Sequence, residues 1–320
     1  MDYFSEHHHK KYSYKRLKEG YIFVAISSYR DSRCSTTVKQ LFNNATDPNK
    51  IIIGICQQND SPDPDCGLVE KERKCQIKIL RFPHEKAKGP TWARYLCSHL
   101  WDGEEFFLQI DAHMNFIKGW DTSLKDMRNQ IGYRKNIITY YPPADTENVD
   151  LKTVTVVTTG ASINSKNELI SSARMIPRLA FPQEGNFVSA GFIFTNWEFL
   201  IDIPFDPYLP YLFQGEEPLL AMRLWTSGWK IYHPTHCVCD HFYARVGEPK
   251  FWDDHVKKYE YWNPISKIRA LTFLGINPNS SGIPQYILKH KDSYGAGRSR
   301  TIYAWLELLR SKYGINWKLN

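Results

Sequence analysis

A chain of 320 residues with 42% apolar content is long enough to bury one large core, and it suits a single α/β domain with insertions. Met1 to Gly20 is polar and carries His7, His8 and His9; it lacks the apolar stretch of a signal peptide, and no run anywhere approaches the ~20 apolar residues that span a bilayer. The formal charge of +7 comes from dispersed Lys and Arg without a basic helix or repeated module, so nucleic-acid binding is not expected; an anionic small ligand or an acidic protein partner accounts for it. The seven cysteines are an odd number without a Cys-x-x-Cys pair, which predicts free thiols, no disulfide framework and a cytoplasmic protein.

In chain order, Tyr21 to Ile26 reads as a first strand, followed at its carboxyl end by the loop Ser27-Ser28-Tyr29-Arg30-Asp31. Ser32 is placed to cap a helix running to about Asn44, and Ile51 to Cys56 is a second, wholly apolar strand leading into Gln57-Gln58-Asn59-Asp60. Strand, helix, strand implies parallel pairing. Ser61 to Gly67 is a Pro- and Asp-rich surface loop before a third strand at Gln76 to Leu80. The polar groups ending the first two strands suit a base or ribose, or are ordinary loop polarity. Lys86-Ala87-Lys88-Gly89-Pro90 opens a helix with an apolar stripe of Trp92, Leu96 and Leu100 and with Arg94 on another side; the basic residues and Gly89 are positioned to neutralise a phosphate.

That helix feeds Phe106-Phe107-Leu108-Gln109-Ile110-Asp111-Ala112-His113, an apolar strand that ends in a carboxylate and an imidazole. Residues two apart on a strand face one side, so Asp111 and His113 can point at a single divalent ion, a mixed donor set suited to manganese or zinc. The plainer alternative is a solvated pair or a cap. Thr122 to Ile131 is a helix closed by Gly132, and Ile137 to Tyr140 and Thr153 to Val157 are strands. Pro142 to Pro182 shows no strong helix and reads as a long excursion that contributes a second binding surface. Phe187 to Phe194 is apolar around the small residues Ala190 and Gly191, which permit close backbone approach. Gly215-Glu216-Glu217-Pro218 starts a helix stopped by Gly228, and Thr301 to Leu309 is a late helix. Between these, His233-Pro234-Thr235-His236-Cys237-Val238-Cys239-Asp240-His241 resembles a zinc site, but it lacks a second ligand pair from a separate turn. It is either structural, or His241 completes the site begun by Asp111 and His113.

Taken together, Gly89 with Ala93-Arg94, Asp111-Ala112-His113, Ala190-Gly191, Gly215-Glu216-Glu217 and His241 resemble, in that order, the motifs of the polypeptide N-acetylgalactosaminyltransferases. The segment Ala25 to Asp31 is more similar to cytoplasmic enzymes that add N-acetylglucosamine to hydroxyproline. The resemblance covers about Tyr21 to Arg245; the family's Ala-Gly-Gly is Ala190-Gly191-Phe192 here, Phe213 is the aromatic before the Gly-Glu, and the late arginine is Arg245. It implies an α/β GT-A fold, a Rossmann-like nucleotide-sugar-binding domain whose mixed, mostly parallel sheet is flanked by helices. Residues 1–20 would be a polar N-terminal segment and 21–320 one catalytic domain, with acceptor recognition inside it.

The implied activity is retaining transfer of a sugar, N-acetylglucosamine favoured, from a UDP donor to a protein hydroxyl, hydroxyproline favoured. UDP-GalNAc, UDP-Gal or UDP-Glc are the alternative donors, and an idle sugar-nucleotide-binding module is the alternative role. Mn²⁺ or another divalent cation would be held by Asp111, His113 and His241. The donor would be bound by Ser27, Tyr29, Arg30, Asp60, Arg94, Asp111, Ala112, Gly191 and Arg245, and Glu216 and Glu217 would orient the sugar or acceptor.

Overall fold

Apolar residues alternate along β1 (Lys18–Tyr29): Phe23 and Ala25 enter one core cluster, and Ile22, Val24 and Ile26 enter another. A strand that buries both faces belongs in the middle of a sheet covered on both sides. In the computed structural model of the protein, which describes residues 16–67, 71–276 and 283–317, β1 indeed lies inside a large sheet. The polar segment through residue 15, with its histidine run, lies outside the described residues.

From β1 the chain passes through α1 (Cys34–Asn43), β2 (Ile51–Asn59), β3 (Ile77–Pro83), α2 (Pro90–Ser98), β4 (Glu104–Asp111), β5 (Met114–Phe116), α3 (Trp120–Ile131) and β6 (Asn136–Thr139). A hairpin, β7 (Val154–Ile163) and β8 (Leu169–Pro177), precedes β9 (Gln183–Gly185), β10 (Phe192–Asn196), α4 (Glu198–Asp202), α5 (Glu216–Thr226), β11 (Lys230–His233) and β12 (Cys239–His241). The remainder is helical: α6 (Phe251–Asp254), α7 (Val256–Phe273), α8 (Lys291–Tyr294) and α9 (Ile302–Tyr313).

Among the described residues, eight strands form one sheet in the order β3-β2-β1-β4-β10-β6-β11-β9. The β1–β2, β2–β3, β1–β4 and β6–β11 pairs are parallel, while β10 runs antiparallel to both β4 and β6. The α/β expectation holds. Carboxyl ends of β1, β2 and β4 therefore open on one edge, and Ser27 stands opposite Asp111 in the β1–β4 register. One face of the sheet packs Phe107, Phe199, Trp229 and Trp305, and the other packs Val38, Leu41, Trp120 and Leu124.

Three expectations need correction. Cys34 and Cys66 are joined by a disulfide, tying the start of α1 to the loop after β2; the other five cysteines are free. Pairing in space across a sequence separation of 32 leaves no local spacing signal. Ser32 does not cap α1, which starts at Cys34; its hydroxyl and N–H are donated to the Glu248 carboxylate, while Asp31 accepts the Arg33 N–H at 3.0 Å. The excursion from Pro142 to Pro182 contains the β7–β8 hairpin, with strand residues beyond the Thr153 to Val157 segment, because the far strand reads as polar and half-exposed rather than alternating cleanly.

Candidate active site

The carboxyl edge of the sheet borders a cavity of about 520 Å³, within the usual size range for a small-molecule site. Its walls come from β1, α2, β4, the start of α5, the chain after β12 and the Leu169–Ser171 stretch of β8, so the hairpin lines this cavity.

Asp111, His113 and His241 meet here with ligand atoms within 4.8 Å of one another, the one such group of three among the described residues. The second, two-stranded sheet explains how a histidine 130 residues from Asp111 arrives: β12 pairs antiparallel with β5, His241 opposite Met114, and the Phe242 N–H donates to the His113 carbonyl at 3.1 Å. The His241 Nε2 lies 3.2 Å from Asp111 Oδ2, and its Nδ1 is buried with no hydrogen-bond partner among the described residues. Burial works against charge on Asp111, but the hydrogen bond and charge of His241, with Arg94 and His113, hold its carboxyl well below the ordinary range.

His113 is oriented from behind. Its Nδ1 lies 2.7 Å from Asp31 Oδ2, which can only accept, so Nδ1 donates and Nε2 would be the nitrogen that ligates an ion, the carboxylate–histidine arrangement that fixes tautomer and ring direction at metal sites. Asp31 is only 3% exposed; burial opposes its charge, and His113 and Arg245 more than compensate, holding its pKa below the ordinary value. One carboxylate and two imidazoles fit a borderline divalent ion such as Mn²⁺ or Zn²⁺ better than Mg²⁺, which prefers oxygen alone. Gly191 completes the fit: a Cβ there would stand 2.8 Å from Asp111 Oδ2, so any side chain would displace the carboxylate.

Across the cavity stand the two glutamates that open α5. Glu217 accepts from the Tyr141 hydroxyl at 2.6 Å and from the Ala190 N–H at 2.9 Å, and burial pushes its carboxyl up to about 7 against the pull of those two donors. Glu216 accepts from Arg94 Nη1 at 2.5 Å; burial pushes its carboxyl up while the guanidinium opposes. Arg94, 6% exposed, also lies 3.7 Å from Asp111 Oδ1. Its charge is thus shared between two carboxylates, and it couples the two walls rather than standing open in the cavity.

Ser27, Tyr29, Ala112, Gly191 and Arg245 line the cavity with Asp111 and Arg94. Tyr29 donates its hydroxyl to Asp254 at 2.6 Å. Arg245, at φ 39°, reaches the Tyr29 carbonyl at 3.3 Å and Asp31 at 3.5 Å. Arg30 and Asp60 lie away from the lining: Arg30 pairs with Asp63 at 3.0 Å and Asp254 at 3.1 Å, and the exposed Asp60 accepts the N–H of its neighbour Ser61. Lys86 and Lys88 are also outside the lining, although Gly89, with a φ of 97° that only glycine adopts readily, forms part of it. Lining residues that the sequence-based site lacked include Asp31, Tyr141, Tyr243 and Trp252. Asp31 lies in the Ala25 to Asp31 segment but had no partner to mark it until the fold brought His113 to it.

His233 and His236 belong elsewhere. His233 sits between the Thr139 carbonyl (3.1 Å) and Thr158 (Oγ1 at 2.9 Å), and His236 contacts Thr235 Oγ1 at 3.0 Å.

The fold is that of the GT-A glycosyltransferases. A structure of GalNAc-T7 with UDP, GalNAc and Mn²⁺ superposes with TM-score 0.58 at 13% identity, covering 92% of this chain and 58% of that one. Residues 1–349 of S. aureus TarS superpose with TM-score 0.53 at 12% identity, over 90% of this chain and 69% of that one. The same segment of TarS in complex with UDP-GlcNAc gives TM-score 0.50 at 14% identity, over 86% and 73%. No curated protein sequence matches the chain. A family model described as glycosyltransferase (GlcNAc) matches residues 21–73 and 67–312, and the chain belongs to that family.

Proposed function

We propose that the protein moves N-acetylglucosamine from a UDP donor to a protein hydroxyl, hydroxyproline favoured, with retention of configuration and with Mn²⁺ held by Asp111, His113 and His241. The observation that carries the reading is the meeting of that oxygen and nitrogen triad at the edge of a 520 Å³ cavity on the carboxyl side of the sheet. Neighbours of the same fold were solved with UDP, GalNAc and Mn²⁺ and with UDP-GlcNAc, which supports a sugar nucleotide as the ligand. The ion would supply positive charge to the diphosphate as it departs.

The chain's own groups do the rest. Asp31 keeps the His113 ring aimed, and Ser27, Tyr29, Ala112 and Arg245 form the donor side. Gly191 leaves room beside Asp111 for the sugar. Arg94 places its charge between Asp111 and Glu216, offsetting the repulsion of two buried carboxylates and opposing the upward push of burial on Glu216. Glu217, clamped by Tyr141 and the Ala190 N–H, orients the sugar or the acceptor hydroxyl.

The buried state of Glu217 favours a second reading. A carboxyl raised to about 7 is well matched to general-base work at neutral pH, and a base that deprotonates an attacking hydroxyl would invert the anomeric centre. Incubation with Mn²⁺, a panel of UDP-sugars and hydroxyproline peptides, followed by product mass and anomeric analysis, separates the two. A retained GlcNAc product is expected. An inverted product would establish the base reading, and a preference for UDP-Gal or UDP-GalNAc would overturn the donor assignment.

A cytoplasmic location is part of the same reading, and the molecule bears on it from two sides. Five cysteines are free thiols, whereas the Cys34–Cys66 bond is of a type that persists mainly in oxidising surroundings. Among the described residues, no helix is long and apolar enough to cross a membrane. Alkylation of the protein in freshly lysed cells separates the two sides: labelling of Cys34 and Cys66 would place it in the cytoplasm with the bond open, and protection of both would place it in an oxidising compartment with the bond formed.

A further inference from the structure

Behind one wall of the cavity lies a second concavity, about 430 Å³ in volume and more open. The wall is shared. Gly89 and Pro90 face the cavity while Lys88 and Trp92 face the groove, and Tyr211, on the groove side, stacks on Phe251 of the cavity at 5.0 Å. The Tyr211 N–H donates to the Lys88 carbonyl at 2.6 Å, which fixes this partition.

Three ammonium groups, those of Lys86, Lys88 and Lys258, surround an aromatic floor of Phe82, Trp92 and Trp262. One carboxylate, Glu85, stands among them, and it is 65% exposed. Lys86 and Lys258 are exposed, Lys258 reaching the Glu85 carbonyl at 3.1 Å. Trp92 is 6% exposed, and its buried Nε1 finds no hydrogen-bond partner among the described residues. The exposed Tyr261 continues the aromatic surface outward, edge-on to Trp262 at 5.1 Å.

We propose that this groove binds an acidic segment of the peptide acceptor at a distance from its hydroxyl, an inference that rests on the protein-acceptor reading above. Charge complementarity selects the occupant: the exposed Lys86 and Lys258 at the rim, on a chain of net charge +7, call for negative charge. The groove has no arginine fork for planar bidentate anion recognition; its separate ammonium groups on flexible stems suit single carboxylates spaced along a chain. The aromatic floor suits proline and other apolar residues between them.

Helices α6 and α7 set the spacing. Trp252 lines the cavity, and Lys258 and Trp262 of the following helix line the groove. Trp252 and Lys258 are six residues apart across the junction of the two helices, roughly 9 Å at the helical rise, the length of about three residues of extended peptide. Acidic residues about three positions from the modified hydroxyl should therefore reach the nearest lysine.

The test uses fluorescently labelled hydroxyproline peptides with Glu, or with Gln, at those positions, and reads binding by anisotropy at low and high salt. The Glu peptide is expected to bind about tenfold more tightly at low salt, an advantage lost at high salt and in the double variant Lys86→Glu, Lys258→Glu. UDP binding with Mn²⁺ should be unchanged in that variant, and the acceptor KM should rise while kcat stays the same. Equal binding of Glu and Gln peptides would overturn the proposal, as would tighter binding of an anionic polysaccharide than of the Glu peptide. Lysine-dependent binding of the Glu peptide without any sugar transfer keeps the groove and sinks the transferase reading; transfer to both peptides alike does the reverse.

Discussion

His233, His236 and His241 lie within nine residues, yet the fold gives them opposite work. His241 is carried by the β12–β5 pairing to Asp111 and His113, where its Nε2 faces a carboxylate across a cavity edge. His233 and His236, at the end of β11 and just beyond it, are buried among threonine hydroxyls and backbone, and burial lowers the pKa of each to about 4. The same side chain is a candidate ligand in one place and a neutral packing group in the other. What separates them is whether a second element brings a carboxylate and an open edge to the ring.

The strongest attempt to break this contrast replaces each histidine in turn. His241→Ala, like His113→Ala or Asp111→Ala, should lower Mn²⁺-dependent turnover roughly 10³-fold or more, because the charge stabilisation it removes is worth several kcal/mol. His236→Ala should leave turnover within about twofold at a temperature where the protein is folded, since its contacts are structural. Steady-state rates with added Mn²⁺, with EDTA as the metal-free control, decide it. Loss of activity in His236→Ala with retention in His241→Ala would mean that the wrong imidazole has been assigned.

A finer test concerns what aims the ligand. Asp31→Asn keeps the size of the side chain but removes the charge that holds the His113 Nδ1–H, so Mn²⁺ affinity should fall about 10- to 100-fold. Isothermal titration with Mn²⁺ and UDP measures it without turnover. Unchanged metal affinity would show that the Asp31–His113 contact only packs the loop.

Arg94→Met asks whether the two walls are coupled. It leaves Asp111 and Glu216 without their shared cation, and breaking a buried pair of this kind costs about 3–5 kcal/mol. The expected outcome is a lower Tm together with weaker Mn²⁺ binding, and the Arg94→Met, Glu216→Gln double variant should recover part of the stability. No recovery would assign Arg94 to the donor alone.

The central strands were legible because each is a short apolar run ended by polar residues, and Asp111, His113, Gly191 and the two glutamates were legible because a motif order carried them. Three kinds of feature were not. Asp31 and Tyr141 act through contacts made 82 and 76 residues away, which no local pattern encodes. Arg30 is a donor ligand by the resemblance of the Ala25 to Asp31 segment, whereas its ion pairs with Asp63 and Asp254 hold it outside the cavity lining. The Cys34–Cys66 bond joins two residues whose neighbours show no framework spacing. In each case the information lies in which loops the sheet order brings together.

The smallest expected effect concerns the histidine that binds nothing. The His233 Nε2 accepts from the Thr158 N–H at 3.2 Å, and its Nδ1–H donates to the Thr139 carbonyl at 3.1 Å, so the neutral ring satisfies both neighbours. A second proton on Nε2 would face the Thr158 N–H donor. With a folded pKa near 4 and an unfolded value of about 6.5, the unfolded chain binds the proton first. The stability from this group is therefore complete above about pH 6.5 and is lost as pH falls toward 4, by at most about 3 kcal/mol. Glu217 acts with the opposite sign: its raised pKa makes the folded state the better proton acceptor, so its share of stability increases as pH falls from about 7 toward the unfolded carboxyl value. The raw pH profile mixes these two with His236, whose pKa burial lowers in the same way, and a difference isolates His233. His233→Gln can accept from Thr158 and donate to Thr139 without titrating, so its Tm should fall less than that of the unsubstituted protein between pH 6.5 and 4.5, by about 1–2 kcal/mol when converted to stability. Parallel melting curves across that window would show that His233 takes up its proton in the folded protein, and that its contrast with His241 is one of position but not of protonation.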